Sequence, residues 1–224
     1  GVPTVSGLSS DETIWWNWQR ARGYFDIVAY TGNDSNRTIS HNLGVAPEMM
    51  WVKDRGRNQN WAVYHANNTA EPATDRLRLN ESDATVDDNA YWNDTVPTSS
   101  VFSLGTDGDV NTNGENYVAY LFATVANVSK VGSFTQSGAT NVACGFTGST
   151  PALIILKRTD ASGNWYILDA VRGIVAGNDK SLYLNSTAAE ITNADIVDPY
   201  SGGFATTSSL ADGDYIFYAI AAIS

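Results

Sequence analysis

The chain has 224 residues, with 24 acidic against 13 basic residues and a formal net charge of -11. Such a charge repels a phosphate backbone, so we expect no nucleic-acid partner. No apolar run approaches the roughly 20 residues that a bilayer span needs, so we expect no membrane insertion. The length allows one large domain or two of about 100 residues.

Short runs rich in Val, Ile, Tyr, Phe and Trp recur along the chain between clusters of Gly, Asn, Asp and Ser. They predict β-strands, because no stretch of a dozen residues shows a helical period. In chain order the first are "FDIVAYTG", "MMWVKD", "NWAVYHA", "RLRLNE", "VFSLG" and "NYVAYLFA". The continuously apolar "MMWV" and "ALIIL" predict strands covered on both faces, whereas the alternation in "RLRLN" points Leu77 and Leu79 to one buried face.

The chain contains two divergent copies of one unit. "QNWAVYHA" (59–66) matches "GNWYILDA" (163–170), and a Lys stands eight residues before the Trp in each. "LRLNES" matches "LYLNST" and "NYVAYLFA" matches "DYIFYAIA" farther on. We therefore predict a leader (1–23) and two repeats (24–126 and 127–224). The predicted fold class is all-β, with two tandem antiparallel β-sandwich repeats of jelly-roll-like wiring.

The leader holds a cluster of aromatic side chains in "TIWWNWQRARGYF". Trp15, Trp16 and Trp18 must be buried somewhere, against the first repeat or a neighbouring subunit. We predict that they form an anchor or interface. The alternative is an exposed platform on which a ligand stacks.

Few side chains offer catalytic chemistry. His41 and His65 have no histidine counterpart in the other copy, so we expect structural roles for both. Phosphate-binding loops, Cys pairs and nucleophile elbows are absent from the sequence. Two of three available glutamates could form the pair of carboxylates that cleaves a glycosidic bond, so a hydrolase is an alternative. We nevertheless expect no enzyme and no cofactor. The glutamates are Glu48, Glu115 and Glu190.

Two further features concern metal and thiol chemistry. "DGDVNTNG" offers Asp107, Asp109 and Asn111 at the alternating positions of a calcium loop, but position six is Thr112 and position twelve is not Glu. A polar connection between strands is the favoured interpretation. The single Cys144 excludes an internal disulfide and follows an alternating apolar run, which predicts a buried, unreactive thiol.

Several phrases together resemble a known family. "GYFDIVAYTGN", "RTISHNLGVAPEMMWVK", "NWAVYH", "WNDTVPTSSVFSLG" and "LIILKRTDASGNWYILDAVRGI" stand in the order found in a domain of tail-fibre and other virion proteins of bacteriophages, notably marine ones. The resemblance covers residues 20–221. It implies a virion surface protein with β-sandwich repeats, and it carries no catalytic residues across.

On this basis we expect a tail-fibre or spike module that attaches the virion to a host-surface receptor, a glycan or an outer-membrane protein. The resemblance implies a location in the virion tail, contacts with other virion proteins and a homo-oligomer such as a trimer. Two alternatives stay open. One is a purely architectural protein, a head decoration or tail-attached knob, and the other is a polysaccharide depolymerase.

The predicted ligand site lies in polar loops. Trp92 and Tyr200 are the aromatic candidates for stacking on a sugar ring, with Asn93 and Asp198 as neighbouring hydrogen-bonding groups. Connections between strands vary without disturbing a core, so "NDSN" (33–36) and "ESDATVDDNA" (81–90) are expected to be recognition loops. The matching loop of the second repeat, residues 186–203, belongs with them.

Overall fold

The computed structural model describes residues 16–222, which fold almost entirely into antiparallel β-sheet. Within this part of the chain the only helices are two four-residue turns, α1 Asn89–Trp92 and α2 Gly108–Asn111. The predicted all-β class is confirmed. No helix among the described residues is long and apolar enough to cross a membrane.

The strands follow the predicted runs. We call residues 24–126 the first half and residues 127–222 the second half. The first half contains β1 Phe25–Thr31, β2 Arg37–Ser40, β3 Met49–Asp54, β4 Trp61–His65, β5 Asp75–Arg78, β6 Val86–Asp87, β7 Val101–Leu104 and β8 Asn116–Phe122. The second half contains β9 Ser129–Gln136, β10 Thr140–Ala143, β11 Pro151–Arg158, β12 Trp165–Asp169, β13 Asp179–Tyr183, β14 Ile191–Ala194, β15 Val197–Tyr200, β16 Gly203–Thr206 and β17 Gly213–Ala221.

Each half builds one six-stranded sheet with the same strand order. The order is β1-β8-β3-β4-β5-β6 in the first half and β9-β17-β11-β12-β13-β14 in the second. β9 opens its half as β1 does, and β17 closes its half as β8 does. The two orders therefore correspond strand for strand, which agrees with the two copies found in the sequence.

A smaller sheet accompanies each large one. β2 pairs with β7 in the first half, and β10, β16 and β15 form a three-stranded sheet in the second. Strand β15 is an addition, because the first half has α1 between β6 and β7 at that point of the chain.

Both faces of each large sheet are buried. On β3, Met50 and Val52 share a cluster with Phe102 of the small sheet, whereas Met49 and Trp51 point to the other face. This is the pattern that strand alternation dictates when both faces are covered. The expected double coverage of "MMWV" is confirmed.

The two large sheets contact each other through equivalent faces. Val63 and Leu77 of the first half share one buried cluster with Ile167 of the second half, the counterpart of Val63, and the partly buried Leu182, the counterpart of Leu77, packs against it. We call it the inter-half cluster. Its fully buried members are Phe25, Met49, Trp51, Val63, Leu77, Leu79, Phe122, Val131, Leu153, Ile155, Trp165, Ile167, Ile216 and Tyr218.

Side chains outside the cores repeat as well. Asn80 accepts a hydrogen bond from the backbone N–H of Trp61 at 2.8 Å, and its amide donates to Asn60 at 2.9 Å. Asn185 forms the same two bonds, with Trp165 and the asparagine before it, at the same distances. The paired Asn-Trp motif is thus a hydrogen-bonded clamp between neighbouring strands.

The described leader residues pack onto their own chain. Trp18 meets Trp51 at 6.4 Å and Phe122 at 6.1 Å between ring centroids, both edge-on. Trp16 packs against the inter-half cluster under the guanidinium of Arg172. These two side chains therefore cover the joint between the halves, which is one of the two kinds of burial expected for them. Trp15 lies outside the described residues.

Candidate functional site

The acid-rich loop after β5 ties the halves together. The Ser82 carbonyl accepts hydrogen bonds from the Gly163 N–H at 2.8 Å and from the Lys157 ammonium at 3.2 Å. The Thr85 N–H donates to the Thr159 carbonyl at 2.9 Å. Lys157 is fully buried there, and burial lowers its pKa to about 8. Ser82 and Thr85 of this predicted recognition loop therefore belong to the contact between the two halves.

A hollow of about 380 Å³ opens beside this joint. We call it the inter-half groove. Its polar groups come from loops of the first half and from β9, β17 and the turn after β11 of the second, so neither half forms it alone. It is lined by Asn67, Asn68, Thr69, Thr85, Ser133, Phe134, Thr135, Thr159, Asp160, Asp214 and Tyr215.

The groove has an aromatic wall. Phe134 stacks on the buried Tyr215, with 5.4 Å between centroids and an angle of 12° between the planes. Tyr30 and Tyr117 stack in the same way in the first half, at 5.2 Å and 10°. Phe134 is partly exposed, so its ring offers apolar surface to whatever enters the groove.

Hydrogen-bonding groups line the same hollow as this ring. The Thr135 hydroxyl donates to Asp214 Oδ1 at 2.8 Å, and Oδ2 of Asp214 forms no hydrogen bond with the described part of the chain. Among residues 16–222, the side chains of Asn67 and Ser133 form no hydrogen bond with another protein group, and both are exposed. The groove therefore presents a free amide, a free hydroxyl and a carboxylate oxygen next to an aromatic ring.

The carboxylates of Asp160 and Asp214 are the charged groups among the residues that line the groove. Arg158 holds the Asp160 carboxylate at both oxygens, at 2.7 and 3.1 Å, and this contact lowers the pKa of Asp160. A general acid for glycoside cleavage needs a raised pKa, so Asp160 is suited to accepting hydrogen bonds and not to donating a proton.

His65 lies beneath the groove and positions its rim. Nδ1 of His65 accepts from the Asn67 N–H at 3.2 Å, while Nε2 lies 3.2 Å from the Phe217 carbonyl of the second half. Complete burial lowers the pKa of His65 to about 4, so the ring is neutral at pH 7. His65 therefore connects the backbone of the first half, at Asn67, to the backbone of the second half, at Phe217.

Trp92 does not lie in an exposed loop. None of its surface is exposed, because α1 turns the ring into the core against Tyr64 at 5.9 Å, edge-on. The expected exposure of Trp92 is wrong, and its ring offers no surface to a ligand in this conformation. Asn93 ends α1 in the left-handed conformation and accepts a hydrogen bond from Asn36.

Tyr200 is exposed as expected, with 39% of its surface accessible, at the end of β15. Asp198 on the same strand accepts from the Gly177 N–H at 3.1 Å. Among the described residues, no hydrogen bond or ring contact joins this pair to Trp92 or Asn93, which lie in the other half. The four predicted ligand-site residues therefore form two separate places.

The three calcium candidates are occupied by bonds within the protein. Asp107 caps α2, and Asn111 donates to the Ser35 and Gly105 carbonyls. Asp109 accepts hydrogen bonds from Tyr91 at 2.6 Å and from Arg78 at 3.1 Å. Across residues 16–222, no group of three or more His, Cys, Asp or Glu side chains is arranged to hold a metal ion.

The remaining reactive side chains are also in structural positions. His41 lies in the first half with Nε2 3.1 Å from the Thr98 carbonyl. Cys144 is buried as predicted, and burial raises the pKa of its thiol to about 12. Glu115 and Glu190 each face an arginine, at 3.8 and 3.3 Å.

Most groove residues carry no local sequence signal, and the reason is physical. Asn67 and Phe134 are far apart in the chain and meet only because the halves pack face to face. The one available signal was the matched aromatic pair, since Phe134 takes the place of Tyr30 in the second copy.

The family described as a domain of unknown function, DUF7483, matches residues 18–223. The chain belongs to the DUF7483 family. Searches of curated proteins and of solved structures find no match. Because the match spans both halves, the inter-half groove lies inside the DUF7483 domain.

Proposed function

We propose that this DUF7483 domain is a non-enzymatic attachment module of a bacteriophage virion that binds a host-surface glycan in the inter-half groove. The observation that carries the binding proposal is the partly exposed Phe134 ring beside the free groups of Asn67, Ser133 and Asp214. A sugar has an apolar ring face and a rim of hydroxyls. An aromatic wall with amide, hydroxyl and carboxylate neighbours matches both.

The virion assignment is supported by the phrase-by-phrase resemblance to tail-fibre proteins. On that assignment, each half is a jelly-roll-like sandwich of one large and one small sheet, and the module is a tail-fibre or spike part. It assembles as a homo-oligomer, such as a trimer, with other virion proteins. The net charge of -11 is consistent with a partner other than nucleic acid.

Binding is favoured over hydrolysis by the state of the groove carboxylates. Asp160 is kept ionised by Arg158, and Asp214 is engaged with Thr135 through one oxygen. A depolymerase needs one carboxyl group that stays protonated near neutral pH and a second that attacks or activates water. The two carboxylates of the groove are therefore better suited to accepting hydrogen bonds from a sugar than to acting as an acid and a nucleophile.

The test is binding of the purified chain to polysaccharides extracted from candidate host cells, with Asn67→Ala as the groove variant. The substitution removes the free amide and keeps the backbone N–H that donates a hydrogen bond to His65 Nδ1. We expect at least a tenfold loss of affinity, because a ligand group loses its partner in the groove. Asn113→Ala is the matched control, since that amide is exposed on a first-half loop away from the groove.

Equal binding by wild type, Asn67→Ala and Asn113→Ala would contradict the groove assignment. The same mixtures are assayed for new reducing ends. Their release by wild type and its loss in Asp214→Asn would favour the depolymerase. Absence of any glycan binding by the folded oligomer would favour the architectural alternative.

A further inference from the structure

A second hollow of about 310 Å³ adjoins the inter-half groove at the edge of the second half. Asn67, Ser133 and Phe134 line both, so the two hollows are adjacent, and we call the pair the channel. Small-ligand sites occupy about 300–1,000 Å³, which places each hollow at the lower limit. The other residues that line the second hollow are Lys130, Gly132, Asn141, Val142, Ala143 and Phe217.

The second hollow depends on an exchange of side-chain size between the two copies. In the first half, Val28 on β1 pairs with Ala119 on β8. In the second half, Gly132 on β9 pairs with Phe217 on β17 at the corresponding place. A Cβ on Gly132 would stand 2.6 Å from the Phe217 ring. The Phe217 ring therefore takes the place that a side chain on Gly132 would occupy, and both residues line the second hollow.

Lys130 is the cation of this hollow. Its counterpart in the first half is the buried Asp26, which accepts hydrogen bonds from Arg20 and the Asn42 N–H. The Lys130 chain runs beside Gly132, with Cε 3.5 Å from where a Cβ would be. Within residues 16–222 its ammonium forms no ion pair and no side-chain hydrogen bond. A structural carboxylate in one copy is thus a free cation in the other.

We propose, building on the proposed function, that the channel takes two adjacent units of an acidic glycan. A neutral unit lies in the inter-half groove, where Asp160 and Asp214 accept hydroxyls and repel anions. The anionic substituent of the next unit, a carboxylate or a phosphate, pairs with Lys130. In a protein with a net charge of -11, a local cation is needed to hold an acidic ligand.

The test compares three probes on the full chain in its native oligomeric state: a uronic-acid oligosaccharide, the same oligosaccharide after carboxyl reduction, and a phosphorylated oligosaccharide. Lys130→Gln removes the charge at similar length, and Lys130→Arg keeps it. Lys180→Gln is the matched control, because that exposed lysine on β13 lies outside the channel. We expect Lys130→Gln to lower affinity for the best acidic probe about tenfold and to leave the reduced probe unchanged.

The acidic probe that responds to Lys130→Gln identifies carboxylate or phosphate as the recognised group. Equal affinity of wild type and Lys130→Gln for every acidic probe overturns the inference. In that case a loss of binding in Asn67→Ala would still support glycan binding in the inter-half groove. If wild type binds no probe and no host polysaccharide, both fail together.

Discussion

His65 of the first half and Phe217 of the second half are joined by a buried hydrogen bond, with 3.2 Å between Nε2 and the carbonyl oxygen. Because Nδ1 accepts from the Asn67 N–H, the neutral ring carries its proton on Nε2 and donates it across the joint. One side chain thus links the inter-half contact to the rim of the groove.

This bond predicts acid sensitivity. The pKa of His65 is about 4 in the folded chain, against an ordinary value of 6.5, because burial disfavours the charged ring. The folded state therefore binds fewer protons than the unfolded state between these values. The contribution of His65 is complete above pH 6.5 and is lost as the pH falls towards 4, by roughly 3 kcal/mol in all.

The measurement is the free energy of unfolding from pH 7.5 to 4.5 for wild type and His65→Gln. Other groups titrate in both proteins, so the difference between the two curves isolates His65. We expect that difference to shrink as the pH falls. A constant difference would show that His65 does not titrate as its burial implies.

The two Asn clamps provide a matched pair of substitutions. Asn80→Ala and Asn185→Ala each remove the bonds to a Trp N–H and to a neighbouring Asn. We expect each to lower the free energy of unfolding by about 1–3 kcal/mol, by similar amounts. Chemical denaturation measures this. A large effect at one site and none at the other would show that the copies do not use the clamp alike.

Gly132 and Phe217 are expected to be coupled. Gly132→Val should destabilise the fold by about 1–3 kcal/mol, because the added Cβ meets the Phe217 ring. The double variant Gly132→Val/Phe217→Ala recreates the Val28 and Ala119 pair of the first half. It should be more stable than the sum of the single effects predicts, by about 1 kcal/mol or more. If the free-energy effects of the two substitutions simply add, the proposed coupling of side-chain size between Gly132 and Phe217 is wrong. Gly56→Ala, with no neighbour closer than 3.5 Å, is the control.

Trp18 is expected to stabilise the joint between the halves. Trp18→Ala removes edge-on contacts with Trp51 and Phe122 and should cost about 2–4 kcal/mol of unfolding free energy. The control is Asn17→Ala, the exposed residue between the two leader tryptophans. Unchanged stability together with lost incorporation into particles would instead support an external anchor.

Strand positions were readable from the sequence because apolar alternation is local. "MMWV" and "RLRLN" each carry their own evidence for which faces are buried, and Leu77 and Leu79 lie in the inter-half cluster as expected. Trp92 was misplaced because its polar neighbours indicate a loop, whereas the single turn of α1 directs the ring inward. A four-residue helix is too short for a periodic signal.

The inter-half groove could not be predicted from strand alternation. Asn67 and Phe134 meet only when two large sheets pack through equivalent faces, and strand alternation specifies that a face is buried without specifying its partner. The sequence copies indicated two similar bodies. They did not indicate that a polar hollow would form where the bodies join.

The most direct measurement is a crystal structure of the chain bound to the host oligosaccharide that binds it most tightly. We predict a sugar ring against Phe134, with its hydroxyls within hydrogen-bond distance of Asn67 and Asp214. A sugar bound beside Tyr200, or anywhere else with the inter-half groove empty, would contradict it.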